Sequence, residues 1–328
     1  MSRYAEAHKN PAGPGDARPS ALQIIKDEGL EGNMKDKVFL VTGASSGIGI
    51  ETGRALAATG AKVFLTARSL EKGRAACGSF LEPGRVELLE LDTSDLSSVR
   101  KAAAEFLQKS PTLNVLVCNA GVMLIPTREE TAEGFEMQLA TNYLGHYLLF
   151  DLLTDALLKA STPTFNSRVV NVSSSGHHWG ELDLDDLQLK APGAYAPDRS
   201  YGQSKLAQIL SANYIDRHFG PRGLHALSLM PGGIMTGLQK YVPAEVKKSW
   251  EAPDVQAFLK DLSQGAATTV IAAVGKEWEG KGGKYLEDCR VATPEPLIVG
   301  LAGVKPYAYD EEKETRLWDL TRKTLGLA

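Results

Sequence analysis

The sequence predicts a doubly wound α/β domain, a parallel sheet flanked by helices on both faces, on three observations. Short apolar runs of strand character alternate with stretches of helical periodicity along most of the chain. The first run, Val38-Phe39-Leu40-Val41, opens directly into a glycine-rich turn and then a helical pattern. The distinctive polar residues, Arg68, Asp92, Asn119, Ser174 and the turn at Pro231, each stand where a predicted strand ends. In an open parallel sheet the ligand lies beyond those ends.

The chain has 328 residues, which suits one decorated domain with a sizeable core. A net charge of −4 argues against a nucleic-acid partner held on a basic face. No run of eighteen apolar residues is present, so no transmembrane segment is expected. The three cysteines, Cys77, Cys118 and Cys289, are too few and too scattered for a disulfide framework, which points to a cytoplasmic protein. Residues 1–33 read as an N-terminal arm. Its first twenty residues are polar and rich in Pro and Gly, and are expected to be partly disordered or loosely draped. Ala21–Glu28 has the character of a short helix, and the folded domain is expected over 34–328.

The glycine turn is Gly43-Ala44-Ser45-Ser46-Gly47-Ile48-Gly49. A strand, a glycine turn and a helix start make an anion-binding corner, with backbone N–H groups and the positive end of the helix dipole facing a phosphate. The spacing differs from both the usual dinucleotide fingerprint and the NTPase phosphate loop. A helix over 47–58 leads to the second strand, Lys62–Thr66, and to Arg68. No acidic residue stands at this strand end to bond a ribose 2′-hydroxyl, whereas an Arg accommodates a 2′-phosphate. NADP(H) is therefore expected over NAD(H), with a solvated surface charge as the plain alternative for Arg68.

Val86–Leu91 is the third strand and ends at Asp92. A helix over 96–109 follows, with Ser94 or Asp95 as its cap. Leu113–Cys118 is the fourth strand and runs into Asn119-Ala120-Gly121. A long helix is expected over 134–158, then a fifth strand, Ser167–Val172, that ends in a serine cluster. Residues 176–200 are irregular, Tyr201–Phe219 is helical, and Leu224–Leu229 is the sixth strand. From about Ala302 to Ala328, Leu317-Trp318-Asp319-Leu320 marks an amphipathic helix.

Tyr201 and Lys205 stand at i and i+4, on one helical face. Together with Thr42-Gly43, Gly47-Ile48-Gly49, Asn119-Ala120-Gly121 and the serine-ended strand, they make the chain resemble the short-chain dehydrogenase/reductase superfamily over about residues 36–290. The retinol-dehydrogenase-like branch is closer still. Asn142-Tyr143-Leu144-Gly145-His146, Arg168 through Ser174 with His177-His178, and Gly283 through Cys289 carry that likeness. That branch often has an N-terminal membrane anchor, which this sequence lacks. Soluble fungal reductases, some in secondary metabolism, are a better home.

The resemblance implies a Rossmann-type fold and an NADP(H)-dependent oxidoreductase that interconverts a ketone or aldehyde and an alcohol. Ser174, Tyr201, Lys205 and Asn142 would form its tetrad. Tyr201 transfers the proton, and Lys205 lowers the phenol pKa and bonds the nicotinamide ribose. Ser174 bonds the substrate oxygen, with Ser173 and Ser175 as fallbacks, and Asn142 holds a relay water. Gly43, Ser45, Ser46, Gly47, Ile48, Gly49, Arg68, Asp92, Asn119, Gly121, Pro231, Ile234 and Thr236 are expected to hold the cofactor. The adjacent His177-His178 have no third ligand placed with them, and no metal is expected.

Residues 235–262 would form the segment that covers the substrate. Their aromatics, with Trp179 and Tyr195, point to a lipophilic or aromatic small molecule unless they only pack that segment. Association into a homodimer or homotetramer through the helices over 134–158 and 201–219 is expected from the same resemblance. A non-catalytic NADP(H)-binding protein, redox-sensing or interacting, is the alternative. Dehydration or epimerisation with the same cofactor also stays open.

Overall fold

The computed structural model describes residues 3–294 and 302–327. Met1, Ser2, residues 295–301 and Ala328, which the expected domain boundaries include, lie outside the described residues.

In chain order the elements are α1 (Ala21–Asp27), β1 (Val38–Val41), α2 (Ile48–Ala58), β2 (Lys62–Ala67), α3 (Leu70–Cys77), β3 (Val86–Glu90), α4 (Leu96–Lys109) and β4 (Val115–Cys118). Then α5 (Met137–Leu139) continues through a π turn (Ala140–Leu144) into α6 (Gly145–Ala160). They are followed by β5 (Ser167–Val172), α7 (Pro197–Phe219), β6 (Leu224–Met230), α8 (Ala244–Ser249), α9 (Pro253–Phe258) and α10 (Leu262–Val274). The last are β7 (Lys284–Glu287), β8 (Arg290–Val291) and α11 (Glu311–Thr324).

The sheet order is β3-β2-β1-β4-β5-β6-β7-β8. All pairings are parallel except β7 with β8. The order reverses between β1 and β4, which opens the crevice where an α/β sheet binds its ligand. Each central strand is buried on both faces, as a parallel sheet between helices requires. Val38 and Leu40 point into the core under α4, α6, α7 and α11, whereas Phe39 and Val41 point into the core under α1, α2 and α10. This period of two builds two cores from one four-residue strand.

The expected strands one to six are all present, and Asp95 rather than Ser94 caps α4, accepting from the N–H groups of Ser97 and Ser98. The helix expected from residue 134 starts at Met137, and α7 starts at Pro197, whose ring suits a first-turn position. Helices α3 and α10 and the β7–β8 hairpin add to the expected elements.

The arm was expected to drape loosely, and instead it is tied down from residue 3 onward. Tyr4 donates to Asp27, and the Arg18 side chain is buried against residues 257–259. Polar composition misleads here because the arm is held both by these hydrogen bonds and by burial of Tyr4, Ala21, Ile24 and Ile25 in the core.

Helix α11 lies across α6 and α7. Trp318 stacks on Tyr214 at 4.1 Å between centroids and meets Tyr147 and Phe150 edge-on. The Tyr143 hydroxyl bonds Thr321, Arg322 pairs with Asp151, and Arg217 pairs with Glu314. Part of the surface by which copies were expected to associate is thus covered within the chain. No helix among the described residues is long and apolar enough to cross a membrane. Trp318→Ala is expected to cost about 3–5 kcal/mol, as for other large aromatics removed from a packed core. Urea denaturation followed by circular dichroism measures it, and a loss below about 1 kcal/mol would show that α11 is not part of the core.

Candidate active site

The glycine turn sits at the C-terminal edge of β1. Gly43 has φ +73°, and a Cβ there would stand 2.8 Å from Ala120 Cα. At Gly49 a Cβ would come 2.3 Å from the Gly43 carbonyl oxygen. Only glycine lets the turn and the first turn of α2 fold this tightly onto β1 and β4. Gly47 precedes α2, and Thr236 of the loop after β6 lies across from it, at 3.4 Å from where its Cβ would be. The turn and the loop from Pro231 to Thr236 therefore face each other over the sheet edge.

Asn119 fastens β4 to β1. Its Nδ2 donates to the carbonyls of Thr42 and Gly43 at 2.8 and 3.2 Å. Thr42 Oγ1 accepts the N–H groups of Asn119 and Ala120 at 2.8 and 2.9 Å. Asp92, at the end of β3, accepts from the N–H and hydroxyl of Ser94 through one carboxylate oxygen. Arg68 is exposed at the end of β2, and no carboxylate pairs with it among the described residues.

The reactive cluster lies between β4, β5 and α7. Tyr201, Lys205 and Asn142 are all buried. Lys205 Nζ donates to the Val172 carbonyl at 2.8 Å and to Gln208 Oε1 at 3.0 Å. A Cβ at Gly121 would lie 3.1 Å from Asn142 Oδ1 and 3.7 Å from Lys205 Nζ, so this glycine roofs both. Of the three serines, Ser173 turns its hydroxyl into the interior, onto the Lys205 carbonyl at 2.8 Å. Ser174 is the serine whose side chain acts to lower the Tyr201 phenol pKa, and its hydroxyl accepts the Gly176 N–H at 3.0 Å. Gly176 lies flat on the Tyr201 ring, where a Cβ would approach within 2.7 Å.

Burial governs the titration of the pair. It pushes the Tyr201 phenol up to about 12 against the lowering effect of Ser174. It also pushes the Lys205 amine down to about 7. Burial, not the lysine expected to lower it, governs the phenol. Nζ stands 5.7 Å from the Tyr201 ring centroid and is directed at Val172 and Gln208.

Asn142 occupies the π turn, a helical irregularity that often marks functional sites. Its side chain clamps both backbone groups of Val122, at 2.9 and 3.0 Å, and donates to Ser204 Oγ at 2.9 Å. Its carbonyl takes Nδ1–H of His146 at 2.9 Å, which leaves Nε2 to accept from the Thr42 hydroxyl at 2.8 Å. Burial lowers the His146 pKa to about 4 and keeps the ring neutral. This polar chain joins the π turn to the glycine corner.

Sequence reasoning quoted His146 only as part of a likeness, and did not single out Thr42, Ser204 or Gln208 for a place in the site. A buried histidine four residues after Asn142 was the available signal. His177 and His178 are both hydrogen-bonded within the chain. His177 Nδ1 donates to the Ser174 carbonyl at 2.7 Å, and its Nε2 accepts the Lys305 N–H. The Tyr307 hydroxyl donates to the His177 carbonyl, and His178 bonds the Gly303 carbonyl.

The sequence model of the short chain dehydrogenase family matches residues 37–182. The chain is 57% identical over 328 residues to the short-chain dehydrogenase/reductase prx1 of Penicillium roqueforti, covering 99% of this chain and 96% of that one. Retinol dehydrogenase 11 of Mus musculus is 36% identical over 294 residues, covering 89% and 87%. A crystal structure of an uncharacterised protein from Mycobacterium paratuberculosis superimposes with a TM-score of 0.65 at 31% identity, covering 89% of this chain and 94% of that one. With the sheet order and the glycine corner already in place, these likenesses make the chain a member of the short-chain dehydrogenase/reductase family of oxidoreductases.

Proposed function

We propose that the chain is an NADP(H)-dependent oxidoreductase that reduces a lipophilic or aromatic ketone or aldehyde to the alcohol, or runs the reverse. The observation that carries this reading is the convergence of Ser174, Tyr201, Lys205 and Asn142 beside the glycine corner. The close approach of Gly43 and Gly49 to their neighbours leaves backbone, not side chains, at the corner, which suits a diphosphate. Gly43, Ser45, Ser46, Gly47, Ile48 and Gly49 would hold the diphosphate, and Asp92, Asn119 and Gly121 the adenosine and ribose side. Pro231, Ile234 and Thr236 would hold the nicotinamide end. Exposed Arg68, with no carboxylate partner among the described residues, would meet a 2′-phosphate. The bound cofactor supplies the hydride.

The chain's own residues supply the proton. With its pKa raised, Tyr201 holds the phenol proton at neutral pH, the state that can donate to a carbonyl oxygen. Ser174, beside that phenol, would donate a second hydrogen bond to the same substrate oxygen. Lys205 would turn toward the nicotinamide ribose, and its ammonium would favour the phenolate once the proton has left. Asn142 serves this cluster by holding Val122 and Ser204 in place, and it would also hold the relay water. Trp179, 37% exposed with its ring 5.7 Å from that of Tyr201, offers an apolar face beside the reacting group. Met235 and Phe258 of the covering segment are about half exposed, and the likeness to a protein named for retinol points the same way. The three cysteines are buried free thiols, which suits a cytoplasmic setting.

Tyr201→Phe is expected to lower turnover of a carbonyl by about 10²–10⁴-fold while NADPH affinity changes little. Retention of full activity would end the proposed mechanism. NADPH should bind more tightly than NADH, and Arg68→Ala should weaken NADPH alone, by roughly tenfold or more. Tryptophan fluorescence titration measures both, and equal affinities in the unaltered chain would refute the preference.

Lys205 gives a pH test. Its folded pKa of about 7 lies below the unfolded value near 10.5, so between them the unfolded chain binds the extra proton. The lysine's cost to stability is therefore full below pH 7 and fades as pH rises toward 10.5. Lys205→Met should abolish turnover yet raise the melting temperature, and by more at pH 6 than at pH 10. An equal shift at both values would show that the amine is not held neutral by burial.

A further inference from the structure

We propose that Arg18 of the N-terminal arm is a positioning residue. Its guanidinium fixes the C-terminal hinge of the 235–262 segment, and through it the closure of that segment over the substrate. The inference rests on the reading of 235–262 as the substrate cover.

Arg18 is 5% exposed. Nη1 donates to the Phe258 carbonyl at 2.9 Å and Nη2 to the Leu259 carbonyl at 2.5 Å. These acceptors stand at the end of α9, where carbonyls lack helical partners. Nη2 also reaches the Gly13 carbonyl, and Nε pairs with Asp16 at 2.8 Å. Burial alone would raise the Asp16 carboxyl, but Arg18 and the N–H groups of Ala12 and Arg18 hold it well below the usual range. A planar fork with all three of its nitrogens engaged fixes geometry in a way that a single ammonium does not.

The next residue along connects this hinge to the cofactor side. The Lys260 N–H donates to the Gly233 carbonyl at 2.8 Å, and its Nζ donates to Asp288 at 2.8 Å and to the Pro231 carbonyl at 3.3 Å. The arm therefore grips one side of residues 257–260 while the loop after β6 grips the other.

Between its ends the covering segment is held mainly by the Gly13 N–H on the Ala257 carbonyl at 2.9 Å and by buried Val242. Neither α8 nor α9 contains a buried residue. At its other end the segment is held by Thr236 and Gln239 in a capping box, with Gln239 Nε2 on the Ile234 carbonyl at 2.8 Å. A segment pinned at two ends and weakly packed between them takes its position from the pins. Arg18 is the pin that comes from outside the sheet.

The test compares the full-length chain with Arg18→Met, which keeps length but removes every donor, and with Arg18→Lys. Amide hydrogen exchange by mass spectrometry reads the hinge without reference to activity. NADPH oxidation with 9,10-phenanthrenequinone as probe reads the cover. Arg18→Met should speed exchange across 237–260 by about tenfold or more with β1 to β6 unchanged. It should lower kcat/KM for the quinone about fivefold or more, mostly through KM. Arg18→Lys should recover part of both, and should still show faster exchange in that segment if Arg18→Met does not fold. Unchanged exchange over 237–260, a rise spread evenly through the sheet, or a fall in kcat with KM unchanged would overturn the proposal. If the unaltered chain reduces no quinone, the functional reading loses its support while the exchange comparison still decides the hinge.

Discussion

The hydroxyl of Thr42 is the joint on which the site depends. It accepts the first two N–H groups after β4 and gives its proton to His146, whose other nitrogen holds the Asn142 carbonyl. Three pieces that are distant in sequence meet there: the end of β1, the end of β4 and the π turn before α6. A buried hydroxyl can serve all of them only because His146 is neutral and presents an acceptor. Half-satisfied, such a network would cost more than an apolar core.

From this joint the rest of the edge is laid out in register. Val41, Val117 and Val170 are paired across three strands, so the glycine turn, Asn119 and the serine cluster leave the sheet side by side. The chain then selects among its serines by orientation. Ser173 closes a carbonyl of α7, and Ser174 alone of the two is left for the phenol. The same burial that excludes water from Tyr201 and Lys205 displaces both from their ordinary titration ranges, in opposite directions.

The strands and the polar corners were legible in the sequence because a parallel sheet leaves a simple trace: apolar runs that end in glycine, serine or asparagine. Tyr201 and Lys205 stand one turn apart on α7, but the likeness to a family, not that spacing alone, singled them out. The arm was not legible. Its Pro and Gly suggested looseness, and only tertiary structure shows Arg18 caught between carbonyls some 240 positions away. The π turn was equally hidden, since a single widened turn leaves the helical pattern of 137–160 almost intact. The titration of Tyr201 was misjudged for a related reason. Sequence supplies the neighbouring lysine, but the depth of burial that outweighs it comes only with the packed fold.

His177 bonds Lys305, and its carbonyl takes the Tyr307 hydroxyl, so the turn that carries Ser174 is closed by residues near the end of the chain. At the other terminus, Arg18 waits for residues 257–259. On the ribosome, then, the first and the middle parts of the polypeptide emerge long before their partners. The sheet core can assemble strand by strand, yet neither the serine turn nor the arm can settle until residues 257–259 and 305–307 have joined it. The turn that carries Ser174 is thus completed by partners about 130 positions further along the chain.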